Sequence, residues 1–157
     1  MHHLTKEGKA ILRETALFLA ANPEKFDMGH VFAVHNPTTD EDDHPFINLS
    51  PCEFLDAFKE EGCGTVMCLA GAIGHAHLDL SQYSNNHSLV KAVTKLLTDG
   101  IYDEEIDRLF MAYPDPENGI KGVSSENVVE AVEAFIEKGI EGVEELLGES
   151  HESIYLF

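Results

Sequence analysis

Tryptophan is absent from the 157 residues, cysteine occurs only three times, and lysine and arginine together number 10 against 29 aspartates and glutamates. An odd cysteine count argues against a disulfide framework and makes a reducing, cytoplasmic setting the expectation. The shortage of bases leaves a formal net charge of −19. So acidic a chain repels nucleic acid and anionic membrane, and neither is expected as a direct ligand. No apolar run approaches the roughly 20 residues that a membrane-crossing helix needs. The opening Met1-His2-His3-Leu4-Thr5-Lys6-Glu7 lacks the basic-then-apolar layout of a signal peptide. A glycine-rich phosphate loop, a dinucleotide fingerprint and a defensible Ser-His-Asp order are also missing, so no familiar enzyme class is signalled.

What is present is an ordinary hydrophobic share of 43% and enough length to bury a real core, so 1–157 is read as a single domain. The acids are unevenly placed. Residues 1–36 and 64–102 each balance to zero, 37–63 carry −7, and 103–157 carry −12. The whole excess therefore sits in two segments, which set the field that a partner meets first.

Helix signals dominate. Thr5 caps a first helix whose apolar face is Ile11, Leu12, Thr15, Ala16, Leu19 and Ala20, ended by Asn22-Pro23. Alternation over His30–His35 predicts a short strand or hairpin. A polar acidic loop, residues 36–48, carries Asp40, Asp42 and Asp43. Ser50, Pro51 and Glu53 form a capping box for a second helix that Gly62 stops. Thr65 is read as the cap of a third helix over residues 66–77, which contains no charged residue; apolar all round, it is expected to be the buried centre of the fold. Ser88 opens the next helix and Asp103 caps another that buries Ile106, Leu109 and Phe110. Ser124 or Ser125 opens a last long helix expected to run past Gly139 to Leu147. The expected class is mainly α.

Asn22-Pro23-Glu24-Lys25-Phe26-Asp27-Met28, followed by Cys63-Gly64-Thr65 and Cys68-Leu69-Ala70-Gly71, resembles a family of uncharacterised proteins of bacteria and their phages. The resemblance covers roughly residues 10–112 and includes Leu109-Phe110. It implies the helical fold and no particular activity. A phage origin would point toward an inhibitor of a host protein.

Three chemistries are open to particular residues. Cys63, Cys68, His75 and His77 are four potential zinc ligands within 15 residues. On a helix, however, Cys68 and His75 differ by about 10 Å along the axis, and His75 and His77 point about 200° apart. A zinc site would need help from Cys52, His30, His35 or His44; the alternative is a pair of thiols packed beside a helix start. A nucleophilic Cys68 at a helix N-terminus is a further option, although the sequence places no base beside it. The stretch Asp115-Pro116-Glu117-Asn118-Gly119 looks similar to an EF-hand loop. In either register its calcium ligands fail, which leaves a Pro/Gly turn between helices.

The strongest pattern is a ladder. Glu126, Glu130, Glu133, Glu137, Glu141 and Glu144 recur at steps of three or four, which places all six on one face of a continuous helix. Val128, Val132, Phe135, Ile136, Ile140, Val143 and Leu147 form the opposite face. Neighbouring like charges each cost about 0.2–0.5 kcal/mol, so the helix tolerates self-repulsion that alternating lysines would have relieved. One reading is a solvated face that keeps the chain soluble. The other is a phosphate-mimicking surface for the basic groove of a nucleic-acid-binding protein, attracted at long range and released by salt. The expected function is thus a non-enzymatic acidic interaction protein without cofactor. The alternative is a zinc-binding protein or small enzyme.

Overall fold

Local signals place most of the elements. In the computed structural model, which describes residues 2–35, 46–60 and 64–148, the first helix, α1, spans Lys6–Ala21. Its cap is Thr5, whose Oγ1 accepts from Gly8 N–H at 2.9 Å. Leu12, Thr15, Ala16 and Leu19 are buried, with Ile11 and Ala20 packed partly against the core. The helix ends at Asn22, before the proline. Strand β1 is Phe32–His35. Helix α2, Pro51–Glu60, carries the capping box: Ser50 N–H donates to Glu53 Oε1 at 2.9 Å and Glu53 N–H to Ser50 Oγ at 3.2 Å.

Strands β2, Phe46–Asn48, and β3, Thr65–Met67, flank β1 in an antiparallel sheet of order β2-β1-β3. Both correct the sequence reading. Residues 46–48 belong to a hairpin with β1, Val34 opposite Ile47, rather than to the acidic loop. Thr65 does not cap a helix; Thr65, Val66 and Met67 pair with Val34, Ala33 and Phe32. Helix α3 therefore begins at Leu69 and runs to His77, with Cys68 as its cap. Leu69–Gly74 are buried, and α3 packs against α1 and the next helix, α4.

Helix α4 is Asn86–Thr98, capped by Asn85 rather than Ser88: the Asn85 side chain accepts from Ser88 N–H at 2.8 Å. Helix α5, Glu104–Phe110, has Asp103 as cap and buries Ile106, Leu109 and Phe110 as expected. A 3-10 turn at Pro116–Asn118, closed by an Asp115–Ile120 bridge, connects it onward.

The last helix is two helices. Helix α6 spans Val128–Lys138 and α7 spans Ile140–Leu147. Gly139 separates them at φ 70°, ψ −155°, a conformation essentially confined to glycine. The carboxylate of Glu105 on α5 accepts from Ile140 N–H at 3.2 Å and so caps the new helix. Burial pushes the Glu105 carboxyl up, but hydrogen bonds outweigh it and hold it below its ordinary value. Thus a carboxylate 35 residues away stabilises the α7 start that Gly139 permits.

Residues 2–5 form a strap across four helices. His2 stacks on Phe135 of α6 with centroids 5.3 Å apart, and its Nε2–H donates to Ile136 O at 2.9 Å. His3 N–H donates to Asp103 Oδ2 at 2.6 Å, at the start of α5. Thr5 N–H, at the start of α1, donates to Leu97 O of α4 at 3.0 Å. Among the described residues the architecture is mainly α with one small sheet, and no helix is long and apolar enough to cross a membrane.

Candidate functional site

The acidic face differs from the ladder that periodicity predicts. Glu126 precedes α6, and the break at Gly139 separates Glu130, Glu133 and Glu137 from Glu141 and Glu144. Glu144 is only 7% exposed, so it is removed from the solvent face. Glu133 is paired: its two oxygens accept from Arg13 Nε at 2.7 Å and Nη2 at 3.0 Å. The Arg13 hydrogen bond is the first cause holding the Glu133 carboxyl below its ordinary value. The exposed pair joins α1 to α6, and such pairs contribute at most about 1 kcal/mol. Glu126, Glu130, Glu137 and Glu141 are exposed and take no ion pair among the described residues. Four of the six glutamates are thus both exposed and without an ion pair among the described residues. The straight run of evenly spaced charges does not form, because the side-chain pattern continues through a backbone that turns. Asp40, Asp42 and Asp43 lie outside the described residues.

Of the proposed zinc ligands, Cys63 also lies outside the described residues. Cys68 is 2% exposed, and its Sγ accepts from Gly71 N–H at 3.4 Å. Burial pushes its thiol up to about 11, against the downward pull of the Gly71 and Ala70 N–H groups. A helix start lowers a thiol pKa only where the thiolate is solvated; here desolvation wins, and the nucleophilic role for Cys68 loses its chemical basis. His75 lies edge-on to Phe54 and Phe58, with centroids at 5.5 and 4.6 Å, and His77 is exposed. No group of three or more His, Cys, Asp or Glu could share a metal ion among the described residues. The burial of Cys68 has a measurable consequence. Iodoacetamide at about pH 8, near the ordinary thiol range, is expected to modify exposed Cys52 and to spare Cys68 until the protein is unfolded. Peptide mass spectrometry reads the sites, and equal native rates would contradict the burial argument.

Sequence reasoning missed a cleft of about 400 Å³ between α1, α2 and α3, lined by Phe18, Lys25, Phe58, Met67, Ala72 and His75 among others. Its wall continues an aromatic series that starts in the core. Phe32 stacks on Phe54 at 4.3 Å, Phe54 on Phe58 at 5.8 Å, and the Lys25 ammonium stands 5.9 Å from the Phe58 ring centre. The side chains of Ala72 and Ala76 on α3 are too small to fill the space. One signal was available: Phe18 falls outside the apolar face of α1, and it is 45% exposed. A second, polar cleft of about 700 Å³ includes Lys9, Arg108, Glu137, Lys138 and Glu141 in its lining.

No family model matches the chain, and neither does any curated protein or solved structure. The functional reading therefore rests on geometry and charge.

Proposed function

We propose that this is a non-enzymatic acidic interaction protein, whose exposed carboxylates on and beside α6 and α7 engage a basic surface of another protein. The observation that carries this reading is the solvent exposure of Glu126, Glu130, Glu137 and Glu141, without ion pairs among the described residues, on a chain of net charge −19. Exposed carboxylates that take no ion pair attract cationic surfaces across roughly a Debye length, about 8 Å at physiological salt. This attraction accelerates encounter and selects against acidic partners more than it adds affinity. The resemblance to bacterial and phage proteins makes a host nucleic-acid-binding enzyme the class of partner to seek, with this protein as its inhibitor. Charge attraction supports that reading; phosphate-like regularity does not, because of the turn at Gly139. Immobilised protein should retain a basic partner from a bacterial lysate at about 50 mM salt and release it by about 500 mM, where the Debye length has fallen below roughly 5 Å. Retention that is indifferent to salt would refute an electrostatic interface.

A further inference from the structure

The cleft between α1, α2 and α3 has a chemistry that the acidic face does not use. Its walls are apolar: Phe18 and the Thr15 backbone turn on one side, Phe58 and Met67 on another, Ala72 and Ala76 along α3. The Thr15 hydroxyl donates to Ile11 O at 2.7 Å, so that donor is already satisfied within α1. Besides the exposed Glu14 and His77, two half-buried polar groups line the cleft, Lys25 and His75. Lys25, half-buried, holds its ammonium over the Phe58 ring. The imidazole of His75 packs against the edge of the same ring system. Burial first, and then the Lys25 charge, hold the His75 imidazole below its ordinary value, which favours its neutral form. Glu14 also lines the cleft, but it is solvent-exposed.

Pockets that take small ligands are typically about 300–1,000 Å³, mostly apolar, with a few convergent polar groups. This cleft, at about 400 Å³, meets that description. We infer that it binds a small aromatic carboxylate, its ring against Phe58 and Phe18 and its carboxylate on Lys25. The negative charge of the whole molecule opposes an anionic ligand, but salt screens charges that act from beyond about 8 Å at physiological ionic strength. A half-buried ammonium in direct contact is screened far less, so the local pair decides the sign. This inference is independent of the acidic interface.

Titration with 2-naphthoate tests it. The chain contains no tryptophan, so the fluorescence of the probe can be followed with little protein background. The expected result is saturable binding at one site per chain, with the neutral 2-naphthamide weaker and 2-naphthylmethylammonium weaker still. Lys25→Met should weaken naphthoate about tenfold or more. Ala76→Phe, at an exposed position of α3 facing the cleft, should fill the space and abolish binding with the circular dichroism unchanged. No saturable binding, equal affinity for the ammonium probe, or an unchanged Lys25→Met variant would overturn the assignment.

Discussion

Gly8→Ala is expected to lower the stability of the protein by about 2–3 kcal/mol, a loss near the upper end for overpacking one methyl group. In a typical helix the same change would gain about 1 kcal/mol from propensity. Here it cannot. A Cβ on Gly8 would stand 2.2 Å from Leu97 O and 2.9 Å from Leu97 C. Those are backbone atoms at the end of α4, already held by Thr5 N–H, so they cannot swing away as a side chain would. Helix α1 must separate from α4, and the Thr5 bond is disrupted with it. Thermal unfolding should show a midpoint lowered by roughly 5–10 °C, given about 2–4 °C per kcal/mol for a chain of this size. Gly74→Ala is the contrast. Its nearest neighbours are the Leu89 Cδ atoms at 3.1 Å, the far end of a side chain that can shift, so its loss should be clearly smaller. Equal effects would refute the close backbone approach of α1 and α4.

Asp103→Ala should cost about 3 kcal/mol. Asp103 is 4% exposed and serves two elements at once. Its Oδ1 accepts from Glu105 N–H at 2.9 Å, capping α5, and its Oδ2 accepts from His3 N–H at 2.6 Å. Loss of a helix cap costs about 1 kcal/mol, and loss of a charged acceptor to a partly buried backbone donor costs a further 1.5–3 kcal/mol or so. The strap formed by residues 2–5 should loosen along with α5. Hydrogen exchange is the discriminating readout: the His3 and Glu105 amides should both lose protection. Exchange confined to Glu105 would mean that the strap is held elsewhere, by His2 on Phe135 and Ile136. Urea unfolding checks the magnitude.

How much of this was legible in the sequence follows from how local each cause is. The Thr5, Ser50 and Asp103 caps, the buried face of α1 and the three buried residues of α5 depend on neighbours within one or two turns, and the pattern alone places them. Strand β3 does not. Its three residues acquire an extended backbone only because Phe32–Val34, more than 30 residues earlier, offer an edge. Read locally, Thr65 followed by apolar residues mimics a cap and a helix. The break at Gly139 is hidden in a different way. The apolar series Val132, Phe135, Ile140 and Val143 stays buried on both sides of it, so the side-chain pattern is blind to the change in backbone direction, while the carboxylate that caps α7 comes from α5. The same break removes Glu144 from the solvent face. The cleft was invisible because it depends on which helices meet. Phe18, an aromatic off the apolar face, was its single local trace.

The comparison that bears most directly on the central claim keeps net charge constant and moves only its location. In one variant Glu126, Glu130 and Glu137 are reversed to lysine. In the other Glu24, Asp56 and Glu117, exposed but on other elements, are reversed instead. Both variants undergo the same change in net charge, so solubility and long-range attraction are matched. Binding of the captured basic partner is then measured for each at one salt concentration. The acidic-face account predicts that the first variant loses the partner while the second keeps it, with the helical circular dichroism of both intact. Equal retention by the two, or equal loss, would contradict it.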